Sequence, residues 1–188
     1  MTAFGLGPMP GTDLAQAADV VLSETVLPHI PQLPERSVGA DAIGRTAALL
    51  EIPIGRGPRG WRVAARKRGD ADRMARDLDG LEEAWHGKVD TVKAQLVGPF
   101  TLAAEVEMPN GHRMITDAGA LRDLTDALVE ACGEHRRDVA ARFGDVVLQL
   151  DEPLLPEVTA GTLRGTTDYE TIRAIPEPVS YTHLRAHE

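Results

Sequence analysis

An α/β fold in which strands and helices alternate is what this sequence predicts, and three observations carry it. Two short apolar segments, 91–97 and 145–150, are rich in β-branched residues and end in Gly98-Pro99 and Asp151-Glu152-Pro153. Helical spacings of three and four occupy 13–25, 70–85 and 117–142, alternating with strand-like runs, and the loops at the strand ends carry Gly, Pro and polar groups. Alternation of this kind is the signature of a parallel α/β architecture, and a doubly wound sheet and a (β/α)-barrel both satisfy it.

In chain order, the small and apolar residues 3–6, followed by Gly7-Pro8-Met9-Pro10-Gly11, predict a first buried strand with its loop. Thr12 or Asp13 then caps a helix over 13–25, on which Leu14, Ala17, Ala18, Val21 and Leu22 share one face. The prolines at 28, 31 and 34 end it. Residues 42–50 return to helical composition and 61–65 suit an extended segment. A helix over 70–85 places Met74, Leu78, Leu81 and Ala84 together. Residues 91–97 form a strand, 117–142 a long helix carrying Leu121, Leu124, Leu128, Ala131, His135 and Val139, and 145–150 a short buried strand. The segments 3–7, 91–97 and 146–150 are expected side by side in one parallel sheet.

Composition narrows the function. The 188 residues are 43% hydrophobic and 26% charged, which suits one globular domain. No run approaches the ~18 apolar residues of a membrane span, and the N-terminus lacks signal-peptide character, so a cytoplasmic enzyme is expected. One cysteine, Cys132, excludes an intrachain disulfide and cannot build a multi-thiolate metal site. A formal charge of −9 disfavours nucleic acid as a partner. Arg56, Arg59, Arg62, Arg66, Lys67 and Arg68 form the one basic cluster, either a solvated loop and strand edge or a subsite for an acidic substrate tail.

Gly55-Arg56-Gly57-Pro58-Arg59-Gly60 matches the dinucleotide-binding G-x-G-x-x-G, but an extended Trp61-Arg62-Val63 follows it where a helix is required. Asp151-Glu152-Pro153 is more informative, because paired carboxylates directly after an apolar strand stand where parallel α/β proteins build active sites. The competing reading is that Asp151 or Glu152 caps the next helix, with Pro153 at its first position. Cys132 sits inside a helical pattern as a small hydrophobe, and His29, His86, His112 and His135 lack a companion at metal-ligand spacing.

Three motifs in order resemble the catalytic domain of cobalamin-independent methionine synthase. Val147-Leu148-Gln149-Leu150-Asp151-Glu152-Pro153 is similar to that family's "Q-I-D-E-P" strand end. Gly5-Leu6-Gly7-Pro8-Met9-Pro10-Gly11-Thr12 is similar to its opening "I-G-S-F-P-x-T", and 93–102 to its "G-P-x-T" strand end. The resemblance covers roughly residues 3–178 and is nearest to short, single-barrel actinobacterial-type relatives. It implies a partial (β/α)8 TIM barrel of the methionine synthase and uroporphyrinogen decarboxylase type. The implied activity is methyl transfer from 5-methyltetrahydrofolate to homocysteine, with zinc holding the thiolate. Asp151 would hold the substrate amino group, and the loop of Leu6, Gly7 and Pro8 would approach its carboxylate. Pro8 stands where the family has serine and has neither a hydroxyl nor an amide hydrogen, so Leu6 and Gly7 offer only backbone amides there. Glu35 and Asp41 sit near where the family carries another substrate-facing acid. The family's zinc ligands, a His-x-Cys pair, a glutamate and a second cysteine, lie downstream of anything present here.

A complete barrel of this kind takes about 250 residues, so 1–178 reads as an incomplete catalytic domain, inactive as it stands. Residues 179–188 resemble the translation of a transposase-type sequencing adapter and are set aside, together with the metal-like spacing of His183, His187 and Glu188. Two alternatives stand beside the methyltransferase. One is a uroporphyrinogen decarboxylase-like barrel, suggested by Val97-Gly98-Pro99-Phe100-Thr101-Leu102-Ala103; the other is a nonfunctional fragment.

Overall fold

The computed structural model describes residues 4–66, 71–166 and 172–175. Residues 179–188 lie outside them, as do Ala3, Lys67 and Arg68. The chain is a mixed α/β structure with helices α1 (Leu14–Glu24), α2 (Ala42–Leu49), α3 (Ala71–Trp85), α4 (Pro99–Glu105), α5 (Ala118–Phe143) and α6 (Leu155–Ala160). Its strands are β1 (Ile54–Arg56), β2 (Trp61–Val63), β3 (Thr91–Val97), β4 (Val106–Glu107) and β5 (Asp145–Asp151). No helix among the described residues is long and apolar enough to cross a membrane.

Strands β3 and β5 pair in parallel over seven residues, from Thr91 opposite Asp145 to Val97 opposite Asp151. The first segment also runs parallel, but its backbone does not pair with β3. Residues 27–32 intervene, joined to it by bridges Phe4 to Leu27 and Pro8 to Gln32, and to β3 by His29 to Lys93. The order is therefore 4–8, 27–32, β3, β5. The intervening segment escapes sequence reading because Pro28 and Pro31 lack the N–H that a regular ladder needs. Pairing survives through the remaining groups, with Pro28 O accepting from Lys93 N (2.8 Å) and Lys93 O from Ile30 N (2.9 Å).

The expected all-parallel barrel is not evident among the described residues. A second sheet, β1-β2-β4, pairs β1 and β2 antiparallel and neither sheet closes. Its hairpin turn is the G-x-G-x-x-G segment, closed by Gly57 N donating to Gly60 O (2.7 Å). Amides used inside a two-strand turn are not aimed at a phosphate, so the dinucleotide motif is a chance match. Of the basic cluster, Arg56 lies 5.1 Å above the Trp61 ring, and Arg59 donates from two nitrogens to the Glu107 carboxylate (2.9 and 3.1 Å).

Successive strand residues point to opposite faces, and β3 uses both. Val92 and Ala94 pack with Ala18 and Val21 of α1, Leu78, Leu81 and Trp85 of α3, and Val139 and Phe143 of α5. Trp85 is held edge-on to Phe143 at 5.7 Å and donates its indole N–H to Ala18 O. A second core gathers α2, the hairpin, α4 and the first half of α5 around Trp61, Phe100, Leu102 and Leu124. The two cores are bridged by ions: buried Asp77 of α3 accepts from Arg45 of α2 (3.1 Å) and from Arg36 (2.6 Å) in the turn Pro34–Arg36.

Buried His135 of α5 has its pKa lowered to about 4, chiefly by burial and then by Arg45, with Asp138 opposing. The unfolded chain binds this proton below about pH 6.5 while the folded chain refuses it until about pH 4, so acidification through that window draws the chain toward unfolding. Urea midpoints should fall as pH is lowered from 6.5 to 4, and His135→Leu should flatten that slope; an unchanged slope would show that His135 is not a source of acid lability.

Candidate functional site

The odd-numbered residues of β3 and β5 face away from the core under α1, α3 and α5, and most of them are polar where the even ones are apolar. Lys93, Gln95, Gln149 and Asp151 lie here, with Val97 opposite Asp151 and Lys93 opposite Val147. Lys93 is 2% exposed, and its ammonium donates to Gly5 O (2.6 Å), Leu6 O (3.4 Å) and Gln149 Oε1 (2.7 Å), with the Phe4 ring 5.0 Å away. Its pKa is lowered by burial, against which the Asp151 charge acts. Gln149 donates from Nε2 to Asp151 Oδ1, the one hydrogen bond the Asp151 carboxylate receives from the described residues. Beside Lys93, buried His29 is held neutral, its pKa lowered to about 4 by burial and by the Lys93 charge. Gln95 donates to Ile30 O, and Gln32 donates to Gln95 O (3.2 Å).

Above this face, at the C-terminal ends of the strands, lies an open cleft of about 790 Å³. Leu6 and Pro8 form one wall, Asp41 to Ile43 another, and Thr101, Glu105 and Asp151 to Leu154 the far side, with Gln32 and Val97 also lining it. Among the described residues, four carboxylates line the cleft, and no lysine or arginine does.

Two of those carboxylates serve backbone amides. Asp41 caps α2 by accepting from Gly44 N (2.7 Å). Glu152 accepts from Phe100 N (2.8 Å) and Thr101 N (2.7 Å), so it closes the first turn of α4 from across the sheet. The expected cap is therefore real but belongs to a different helix. The following helix, α6, has Leu154 at its N-cap without a side-chain bond, and its early proline is Pro156 rather than Pro153. Glu152 can approach because residue 98 is glycine; a Cβ there would stand 2.3 Å from Oε1. Burial raises the Glu152 pKa, opposed by the Thr101 hydroxyl and the two amides. Thr101 Oγ1 in turn accepts from Leu154 N (3.2 Å), tying the loop after β5 to α4.

Of the residues singled out from sequence, the fold brings Asp151, Leu6 and Pro8 to one cleft. Gly7 is buried behind it, with φ +128° and its carbonyl engaged by Gln32 N (3.0 Å), and a Cβ there would meet Gln95 Nε2 at 2.6 Å. Glu35 is exposed in the turn Pro34–Arg36 and does not line the cleft; Asp41 does. His86 and His112 are on the surface, and Cys132 is half-buried in α5 with its thiol pushed up to about 11 by burial. Among the described residues no group of three His, Cys, Asp or Glu side chains is placed to hold a metal. Lys93, Gln95 and Gln149 were missed, although Lys-x-Gln and Gln-x-Asp on otherwise apolar strands announce a polar face at period two.

Comparison with protein-family models, curated proteins and solved structures gives no match to this chain. The geometry of the cleft is therefore the ground for a functional reading.

Removing the carboxylate of Glu152 tests its capping role. Glu152→Ala should lower the unfolding free energy by about 1.5–3 kcal/mol, the range for hydrogen bonds to a charged group, and Glu152→Gln by less because its one oxygen keeps one amide. Urea denaturation of both variants checks this; an Ala variant as stable as the parent would remove the cap from the account.

Proposed function

We infer that this chain is part of a (β/α)-barrel methyltransferase of the cobalamin-independent methionine synthase type, which in its complete form moves a methyl group from 5-methyltetrahydrofolate to homocysteine. One observation carries the reading. Asp151 ends β5 at the cleft, with one carboxylate oxygen fixed by Gln149 and the other without a partner among the described residues. A carboxylate held in this way is suited to an ammonium, and charge-assisted bonds of that kind are about twice as strong as neutral ones. The backbone at Leu6 and Pro8 stands across the same cleft, where the resemblance expects the other end of an amino-acid substrate. The parallel order of 4–8, 27–32, β3 and β5, with a cleft at the strands' C-terminal ends, suits an opened barrel.

Zinc would supply a Lewis acid for the thiol, but the residues described do not fit it. Cys132 is a half-buried helical thiol, and no ligand set is assembled among the described residues. The decarboxylase alternative gains nothing, since a tetracarboxylate calls for arginines and none lines the cleft among the described residues.

Methionine formation from homocysteine and 5-methyltetrahydrofolate by the zinc-loaded complete protein is the direct assay; no transfer to any thiol would sink the reading. Within it, Asp151→Asn should weaken homocysteine binding by about ten- to a hundredfold, the loss expected for one charged hydrogen bond. Calorimetric titration that finds unchanged affinity would remove Asp151 from substrate recognition.

A further inference from the structure

The buried ammonium of Lys93 does more than satisfy itself. An ammonium can only donate, whereas the Gln149 side chain has one accepting and one donating end. With Lys93 Nζ 2.7 Å from Gln149 Oε1, the amide's remaining end must be its donor, and that end meets Asp151 Oδ1. The reversed amide would set NH2 against ammonium and oxygen against carboxylate. Lys93 therefore fixes the hydrogen-bond polarity of the whole run from Lys93 through Gln149 to Asp151. The same nitrogen holds Gly5 O (2.6 Å) and Leu6 O (3.4 Å), the backbone that leads into the opposite wall of the cleft. A cation that is 2% exposed would be costly without this set of acceptors.

We propose that Lys93 is a positioning residue that couples the wall at Gly5 and Leu6 to Asp151, setting through Gln149 which carboxylate oxygen is left for a ligand's ammonium. It touches no ligand. One part of this, the consequence for binding, rests on the proposed reading of Asp151; the orientation of Gln149 does not.

The test separates the two. In the isotope-labelled chain, the Gln149 side-chain amide, assigned by its disappearance in Gln149→Met, should exchange slowly with water and show contacts to the Lys93 ammonium. Lys93→Met should speed that exchange by about tenfold or more, the factor for losing one ordinary hydrogen bond. With L-homocysteine as the probe, Lys93→Met and Gln149→Met should each weaken binding by about tenfold, and the double variant should be no weaker than either, because residues acting in series are not additive. Fully additive losses, or a Gln149 amide indifferent to Lys93→Met, would overturn the proposal. Should Lys93→Met fail to fold, the parent still decides: an unprotected Gln149 amide overturns the proposal, and a protected one in contact with Lys93 supports it. If Asp151→Asn leaves homocysteine affinity unchanged while the Gln149 amide behaves as expected, the substrate reading has failed and the positioning has not.

Discussion

Strand β3 is the constraint on which the rest of the molecule depends. Its backbone is held on one side by seven residues of β5 and on the other by residues 27–32, and its last amide, Val97 N, donates to the Thr46 hydroxyl of α2 (2.9 Å). Its even residues enter the core under α1, α3 and α5, and its odd residues, Lys93 and Gln95, face the other way. A slip of one residue would set the lysine among leucines and turn Val92 and Ala94 onto the polar face, so the pattern of β3 fixes its own register. Everything at the cleft follows from that register: Lys93 reaches Gly5 and Gln149, and Asp151 comes level with Val97.

The acidic pair after β5 divides its labour. Asp151, the last strand residue, stays on the polar face and meets the cleft. Glu152, one residue on, turns back over Gly98 and closes α4. Capping thus falls to Glu152, on α4 rather than on the next helix, and Asp151 is left at the cleft, because adjacent side chains at a strand end diverge. The Gly98-Pro99 motif has a matching explanation. Glycine admits the Glu152 carboxylate, and proline begins a helix whose first amides need an acceptor.

Most elements were legible because their patterns are local. Helices α1, α2, α3 and α5 carry apolar residues at helical spacing, and Asp13 and Asp117 cap α1 and α5 through their side chains. What was hidden depends on distant partners. Residues 27–32 are extended because Lys93 and Gly7 supply bonds that the local prolines cannot announce. The antiparallel hairpin of β1 and β2 follows from a glycine-rich turn, and its docking along β4 from Trp61, which the alternation of strands and helices gave no reason to expect. At the site, Asp151 was visible as a charge after an apolar run. The role of Gln149 was not, since the polar face that Gln-x-Asp announces does not say that Lys93 of β3 meets it diagonally across the pair.

Native-state amide hydrogen exchange tests the central role of β3 most directly, because each amide reports the free energy of the opening that exposes it. If β3 is the spine, Lys93 N, Val97 N and the amides of the β3 to β5 ladder will be among the slowest in the chain, exchanging only through global unfolding. Residues 4–9, joined by isolated bridges, will exchange sooner. Amides of β3 that exchange as fast as those of residues 4–9, while α3 and α5 remain protected, would contradict the account, because the helices would then hold together without the strand that is said to organise them.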